Sequence, residues 1–106
     1  MARVLLGIDR DANKAISLEV LNGSGSVGAA GEIARQLEGM GYTISTVGNA
    51  SNFDYRNSAI VYSHDTPLET VETVAKSLNI TRLIRAPEQE ERQADITVIV
   101  GRDLVG

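Results

Sequence analysis

The sequence predicts an α+β fold, a two-layer sandwich in which two helices cover one face of a single sheet. Three stretches carry the prediction. Ile16, Leu18 and Val20 alternate with Ser17 and Glu19, the period of a strand with one buried face. Ala30, Ile33, Ala34 and Leu37 recur at helical spacing. Thr66-Pro67-Leu68-Glu69 reads as a capping box with proline at the first helical position, and Val71, Val74, Ala75 and Leu78 follow as an apolar stripe.

Taken in order, residues 1–14 read as an extension or linker and residues 15–106 as one domain. The apolar run from Val4 to Ile8 is shorter than a signal-peptide core and far shorter than a membrane span, so no targeting segment is expected in this stretch. The first strand runs into the turn-rich Asn22-Gly23-Ser24-Gly25-Ser26, and the first helix then extends to a stop at Gly41. Tyr42 to Val47 is rich in β-branched residues and predicts a second strand ended by Gly48-Asn49. A polar loop to Asn57 precedes a third strand at Ser58 to Ser63. After the second helix, Ile80 to Arg85 predicts a short extra strand, Pro87 to Gln93 a charged loop, and Ile96 to Val100 a last strand bounded by Gly101. The order β-α-β-β-α-β points to a ferredoxin-like arrangement. Because each helix has one apolar stripe, both must pack on the same sheet.

Composition excludes several function classes. Fourteen acidic against ten basic side chains give a net charge of −4, the wrong sign for a nucleic-acid binder, and the arginines form no basic run. Without cysteine there is no disulfide, no thiol chemistry and no cysteine-based zinc site. Only one Phe and three Tyr are present, which leaves the core to aliphatic side chains and few rings for stacking.

Gly23-Ser24-Gly25-Ser26-Val27-Gly28 fits G-x-G-x-x-G between a strand and a helix, the setting of a dinucleotide fingerprint. The fingerprint also needs an acidic residue near the end of the second strand, where this chain has Val47-Gly48-Asn49. A structural turn is therefore the first reading, and an anion held by amides at the helix start is the second. The single histidine, His64, sits beside Asp65, but neighbours on a strand point to opposite faces, so adjacency makes no triad. Asp54, Asp65, Asp95 and Asp103 lack metal-ligand spacing, and Glu88, Glu90 and Glu91 read as a solvated loop. No catalytic residue, metal or cofactor is expected. The loop Asn52-Phe53-Asp54-Tyr55-Arg56 gathers two rings, an acid and a base; anchoring and binding roles both suit it. In a β-α-β unit the exits of two parallel strands share one end, so Asn49 and Asp54 to Arg56 should adjoin the glycine turn. The candidate ligand-binding residues are Asn22, Gly23, Ser24, Gly25, Asn49, Asp54, Tyr55 and Arg56.

Val20-Leu21-Asn22-Gly23-Ser24-Gly25 before an Ala-rich helix resembles the "VLNG(S/T)G" opening of the C-terminal domain of LytR-type cell-envelope proteins. Gly41-Tyr42-Thr43, Gly48-Asn49-Ala50, Asp54-Tyr55 and Ala59-Ile60-Val61-Tyr62 follow in that family's order, and Asp95 to Asp103 is similar to its closing "D-(V/I)-T-V-(V/I)-(V/L)-G-x-D". Ser58 stands where the family commonly has Thr. The resemblance spans Ile16 to Leu104 and implies a non-catalytic accessory module outside the cytoplasm, binding cell-wall polymer or an envelope protein, with no direct nucleic acid and no membrane contact of its own. The catalytic domain that sometimes accompanies such modules, transferring polymers from lipid carriers to the wall, has no counterpart in these residues. Nor does the family label of transcriptional attenuator find a DNA-reading element here. The alternative is a small-molecule or nucleotide-binding regulatory domain using the turn from Gly23 to Gly28.

Overall fold

A computed structural model of the chain describes residues 16–87 and 94–105. The expected N-terminal extension and most of the charged loop after Pro87 lie outside the described residues. The elements are β1 (Ser17–Asn22), α1 (Ala29–Gly39), β2 (Thr43–Asn49), β3 (Ala59–Tyr62), α2 (Leu68–Leu78), β4 (Leu83–Arg85) and β5 (Ile96–Val100), followed by a 3-10 turn at Arg102–Leu104. The predicted short strand is β4.

The two-layer α+β sandwich is as expected; the path through the sheet differs. A ferredoxin-like sheet interleaves the strands of its two halves. Here the order is β2-β1-β5-β3-β4, so each β-α-β unit keeps its own strands adjacent and parallel. β5 fills the gap between the units, parallel to β1 and antiparallel to β3. Reversing the strand direction while also reversing the side to which the chain steps is a half-turn about the sheet normal. Two right-handed units related in this way put both helices on the same face. One core results: Leu18, Val20, Ile60, Ile96, Val98 and Val100 from the sheet meet Ile33 and Leu37 of α1 and Val71, Val74 and Leu78 of α2. On the other face of the sheet, Thr97 Oγ donates to Glu19 Oε1 at 3.1 Å.

Local chemistry explains the element ends. Gly41, at φ 97°, closes α1 with its N–H on the Glu38 carbonyl, and the next N–H, that of Tyr42, reaches Leu37. β2 does not stop at Val47. It runs through Gly48 and Asn49 because these pair with Leu21 and Asn22 of β1. A register shift between Leu18 and Glu19 leaves Ser45 as the extra residue, and its hydroxyl donates to the Leu18 carbonyl at 3.2 Å. The predicted capping box does not form. Pro67 occupies the N-cap of α2 without a side-chain bond, and buried Thr66 donates its hydroxyl to the Asp95 carbonyl at 3.3 Å, tying the helix entrance to the start of β5.

Candidate functional site

β1, β2 and β5 are parallel, so the segments that leave them emerge at one end of the sheet. The first leads from Asn22 to α1. The Asn22 side chain, 7% exposed, accepts the Ser24 N–H at 3.0 Å and the Ser24 hydroxyl at 2.7 Å, while its amide donates to the Ser26 carbonyl at 2.7 Å. Ser24 Oγ in turn accepts the Ser26 N–H at 3.1 Å. This is an Asx turn whose side chains are engaged in holding its own backbone.

The other two segments are bonded to it. Ala50 N–H donates to the Asn22 carbonyl at 2.9 Å, Gly23 N–H to Val100 at 2.8 Å, and Tyr55 N–H to Gly23 at 3.1 Å. Tyr55 and Arg56 carbonyls then accept the N–H groups of Arg102 and Asp103 at 3.0 and 3.1 Å. One Asp103 carboxylate oxygen takes both the Ser58 N–H at 2.9 Å and the Ser58 hydroxyl at 2.6 Å, and Ser58 Oγ accepts the Gly101 N–H at 2.8 Å. The glycine turn, the loop before β3 and the C-terminal 3-10 turn therefore form one cross-linked platform.

The glycines serve purposes other than those of a dinucleotide fingerprint. The Tyr55 ring lies on Gly23, where an added Cβ would come within 2.6 Å of it. Gly25 has φ 82° with Phe53 above it. In the fingerprint the third glycine allows close packing of helix on strand; here a Cβ on Gly28 would meet nothing within 4 Å, and φ 82° is what asks for glycine.

Two adjoining clefts open on the platform. One, of about 500 Å³, is lined by Ser24, Gly25, Ser26, Phe53, Arg102 and Val105. It shares Ser26 and Val105 with a second, of about 230 Å³, that runs beside α1 past Val27, Ile33 and Leu104. A third cleft, of about 540 Å³, continues past Gln36 toward Ser77 and Asn79 at the end of α2.

All eight sequence-predicted residues gather at this end, but they divide by role. Asn22 and Ser24 are buried in the turn, Gly23 is covered, and Tyr55 is the anchor of its loop. Gly25, Asn49, Asp54 and Arg56 are exposed. The turn in the loop is held by Asn52, whose side-chain oxygen accepts the Asp54 N–H at 2.9 Å. Sequence reasoning missed Arg102, Val27 and Val105, which line the clefts. Phe53, read as anchor or binder, has its Cβ near Gly25 and is 46% exposed. His64 and Asp65 are exposed in the turn before α2, and no group of three or more His, Cys, Asp or Glu capable of holding a metal occurs among the described residues.

Residues 15–104 match the family described as LytR cell envelope-related transcriptional attenuator. The chain belongs to the LytR C-terminal family. It is similar to the Vesiculogenesis and immune response regulator of Mycobacterium tuberculosis, with 30% identity over 84 residues, which is 78% of this chain and 51% of that protein. The chain thus spans about half the length of this curated relative. The solution structure of the C-terminal domain of RV0431 superposes with a TM-score of 0.59 at 27% identity, covering 83% of this chain and 73% of the other. The soluble domain of a conserved hypothetical secreted protein from Mycobacterium marinum shares the fold, with a TM-score of 0.63 at 20% identity over 87% of this chain and 62% of that one. This LytR C-terminal domain is thus a module of a cell-envelope-related family. No helix among its described residues is long and apolar enough to cross a membrane.

Proposed function

We propose that this domain is a non-catalytic, extracytoplasmic accessory module that binds cell-wall polymer or an envelope protein at the end of the sheet where β1 meets α1. The observation that carries the reading is the pair of clefts joined at Ser26 and Val105, floored by a platform that is already hydrogen-bonded. A preformed concave site loses less on binding than one that must order itself. Ser24, Gly25 and Ser26 of the glycine turn line these clefts, and Asn49 at the end of β2 and Asp54 and Arg56 on the neighbouring loop stand exposed as candidate outer contacts, with Tyr55 acting as their support. Membership of a cell-envelope-related family supports the location and the type of partner.

Shift mapping by NMR tests the placement, with soluble peptidoglycan fragments, wall teichoic acid and nucleotides added separately. Perturbations at residues 22–28 and 49–56 are expected from the wall polymers. Changes confined to the opposite end of the sheet would remove the site, and binding of nucleotides alone would replace the reading with a regulatory one.

A further inference from the structure

The cleft lined by Phe53 and Arg102 combines an apolar ring, a cation and hydrogen-bonding groups in one place. Phe53 is 46% exposed, yet it is not loose: its Cβ stands 3.4 Å from the Cβ position of Gly25, and its carbonyl accepts a long 3.5 Å bond from the Arg102 guanidinium. Both residues line the same cleft, and that bond ties the guanidinium to the Phe53 backbone. It occupies one of the five donors of the arginine fork, and Arg102 makes no ion pair among the described residues. Val27, 103% exposed, and Val105, 39% exposed, extend the apolar rim into the adjoining cleft. Three of the exposed large apolar side chains among the described residues thus lie along two adjoining clefts, Phe53 in one, Val27 in the other and Val105 in both.

We infer that the cleft between Phe53 and Arg102 is a subsite for a pyranose unit carrying an acidic substituent, a carboxylate or a phosphate. This deepens the wall-polymer reading above and rests on it. The C–H face of a sugar suits an exposed ring with a polar surround. An acidic group suits an exposed guanidinium that makes no ion pair among the described residues, on a protein whose net charge is otherwise negative. Ser26 and the backbone of Gly25 line the same space, and their polar groups suit ring hydroxyls. The volume, about 500 Å³, falls within the ~300–1,000 Å³ of small-ligand sites. An anionic membrane surface is a poorer fit, because it is recognised by clusters of about four to eight basic residues and this cleft is lined by one.

The test uses the whole chain, titrated by calorimetry and NMR with three probes: a carboxylate-bearing amino-sugar oligomer, a phosphodiester-linked wall polymer, and an uncharged N-acetylglucosamine oligomer. The first two arms separate the sources of the acidic group. At least one acidic probe should bind with shifts at Gly25, Ser26, Phe53 and Arg102, and the neutral oligomer should bind about tenfold more weakly. Arg102→Gln should weaken the acidic probe by about tenfold and leave the neutral one unchanged, whereas Phe53→Ala should weaken both. Both side chains are exposed, so the thermal midpoint should hold and report intact folding. If both variants bind the acidic probe like the parent, the subsite is wrong while the wall-polymer reading stands. If no glycan binds but an envelope peptide does, both this subsite and the polymer half of that reading fall.

Discussion

Ser58 is the position where a single oxygen decides the most. It is 2% exposed at the start of β3, and its hydroxyl donates to the Asp103 carboxylate at 2.6 Å while accepting the Gly101 N–H at 2.8 Å. Ser58→Ala removes a hydrogen bond to a charged group, worth about 1.5–3 kcal/mol, and leaves a buried N–H without its acceptor, a cost of about 1–3 kcal/mol. The carboxylate keeps its bond from the Ser58 N–H, so the terms do not add in full, and a loss of about 3 kcal/mol is expected. With a urea dependence of about 2 kcal/mol per molar, the denaturation midpoint falls by about 1.5 M with the slope unchanged. Ser58→Thr keeps the oxygen and should cost less than about 1.5 kcal/mol. Urea melts of the three proteins check the pair. A loss below about 0.5 kcal/mol for Ser58→Ala, or equal losses for Ala and Thr, would mean that the hydroxyl does not bridge Gly101 and Asp103.

Three further outcomes are expected. Gly23→Ala should cost about 1–3 kcal/mol because its Cβ would lie 2.6 Å from the Tyr55 ring, and Tyr55→Ala should relieve part of that cost in a double-mutant cycle read by denaturation. Burial holds the Tyr42 phenol above its ordinary value of 10.0, so its contribution to stability is whole below that pH and drains away as pH rises past it. Tyr42→Phe should flatten that part of a stability profile taken through the alkaline range. Thr66→Ala should cost about 1 kcal/mol by removing the bond to the Asp95 carbonyl, while His64→Ala, at an exposed turn position, should change the urea midpoint very little.

Much of the fold was legible in short stretches because its amphipathic periods are clean. β1 alternates, α1 and α2 carry one stripe each, and Gly41 marks a helix end by backbone conformation. What local reading does not reach is pairing between distant segments. β5 lies in the middle of the sheet between β1 and β3, where Ile96, Thr97, Val98 and Val100 are buried; its near-continuous apolar run was the available signal. Thr66 matches a capping pattern, yet a carbonyl 29 residues away captures its hydroxyl. The same holds at the site. The glycine turn announces itself in sequence, whereas Arg102 and Val105 line a cleft because the 3-10 turn is bonded back onto Tyr55, Arg56 and Ser58.

That division between platform and rim has a consequence for how such a module works. Three parallel strands end at one edge, and the carboxyl ends of parallel strands are where open sheets place ligands. Here, however, the side chains of Asn22 and Ser24 in the motif, and of Ser58 beside it, accept the backbone N–H groups of Ser24, Ser26 and Gly101. They hold the shape of this end of the sheet. Phe53, Arg102, Val27 and Val105 on the cleft rims are exposed and are not part of the core. A change of ligand is therefore open to substitution at these rim positions at little cost in stability, while substitutions in the turn act on stability first and on binding only through it.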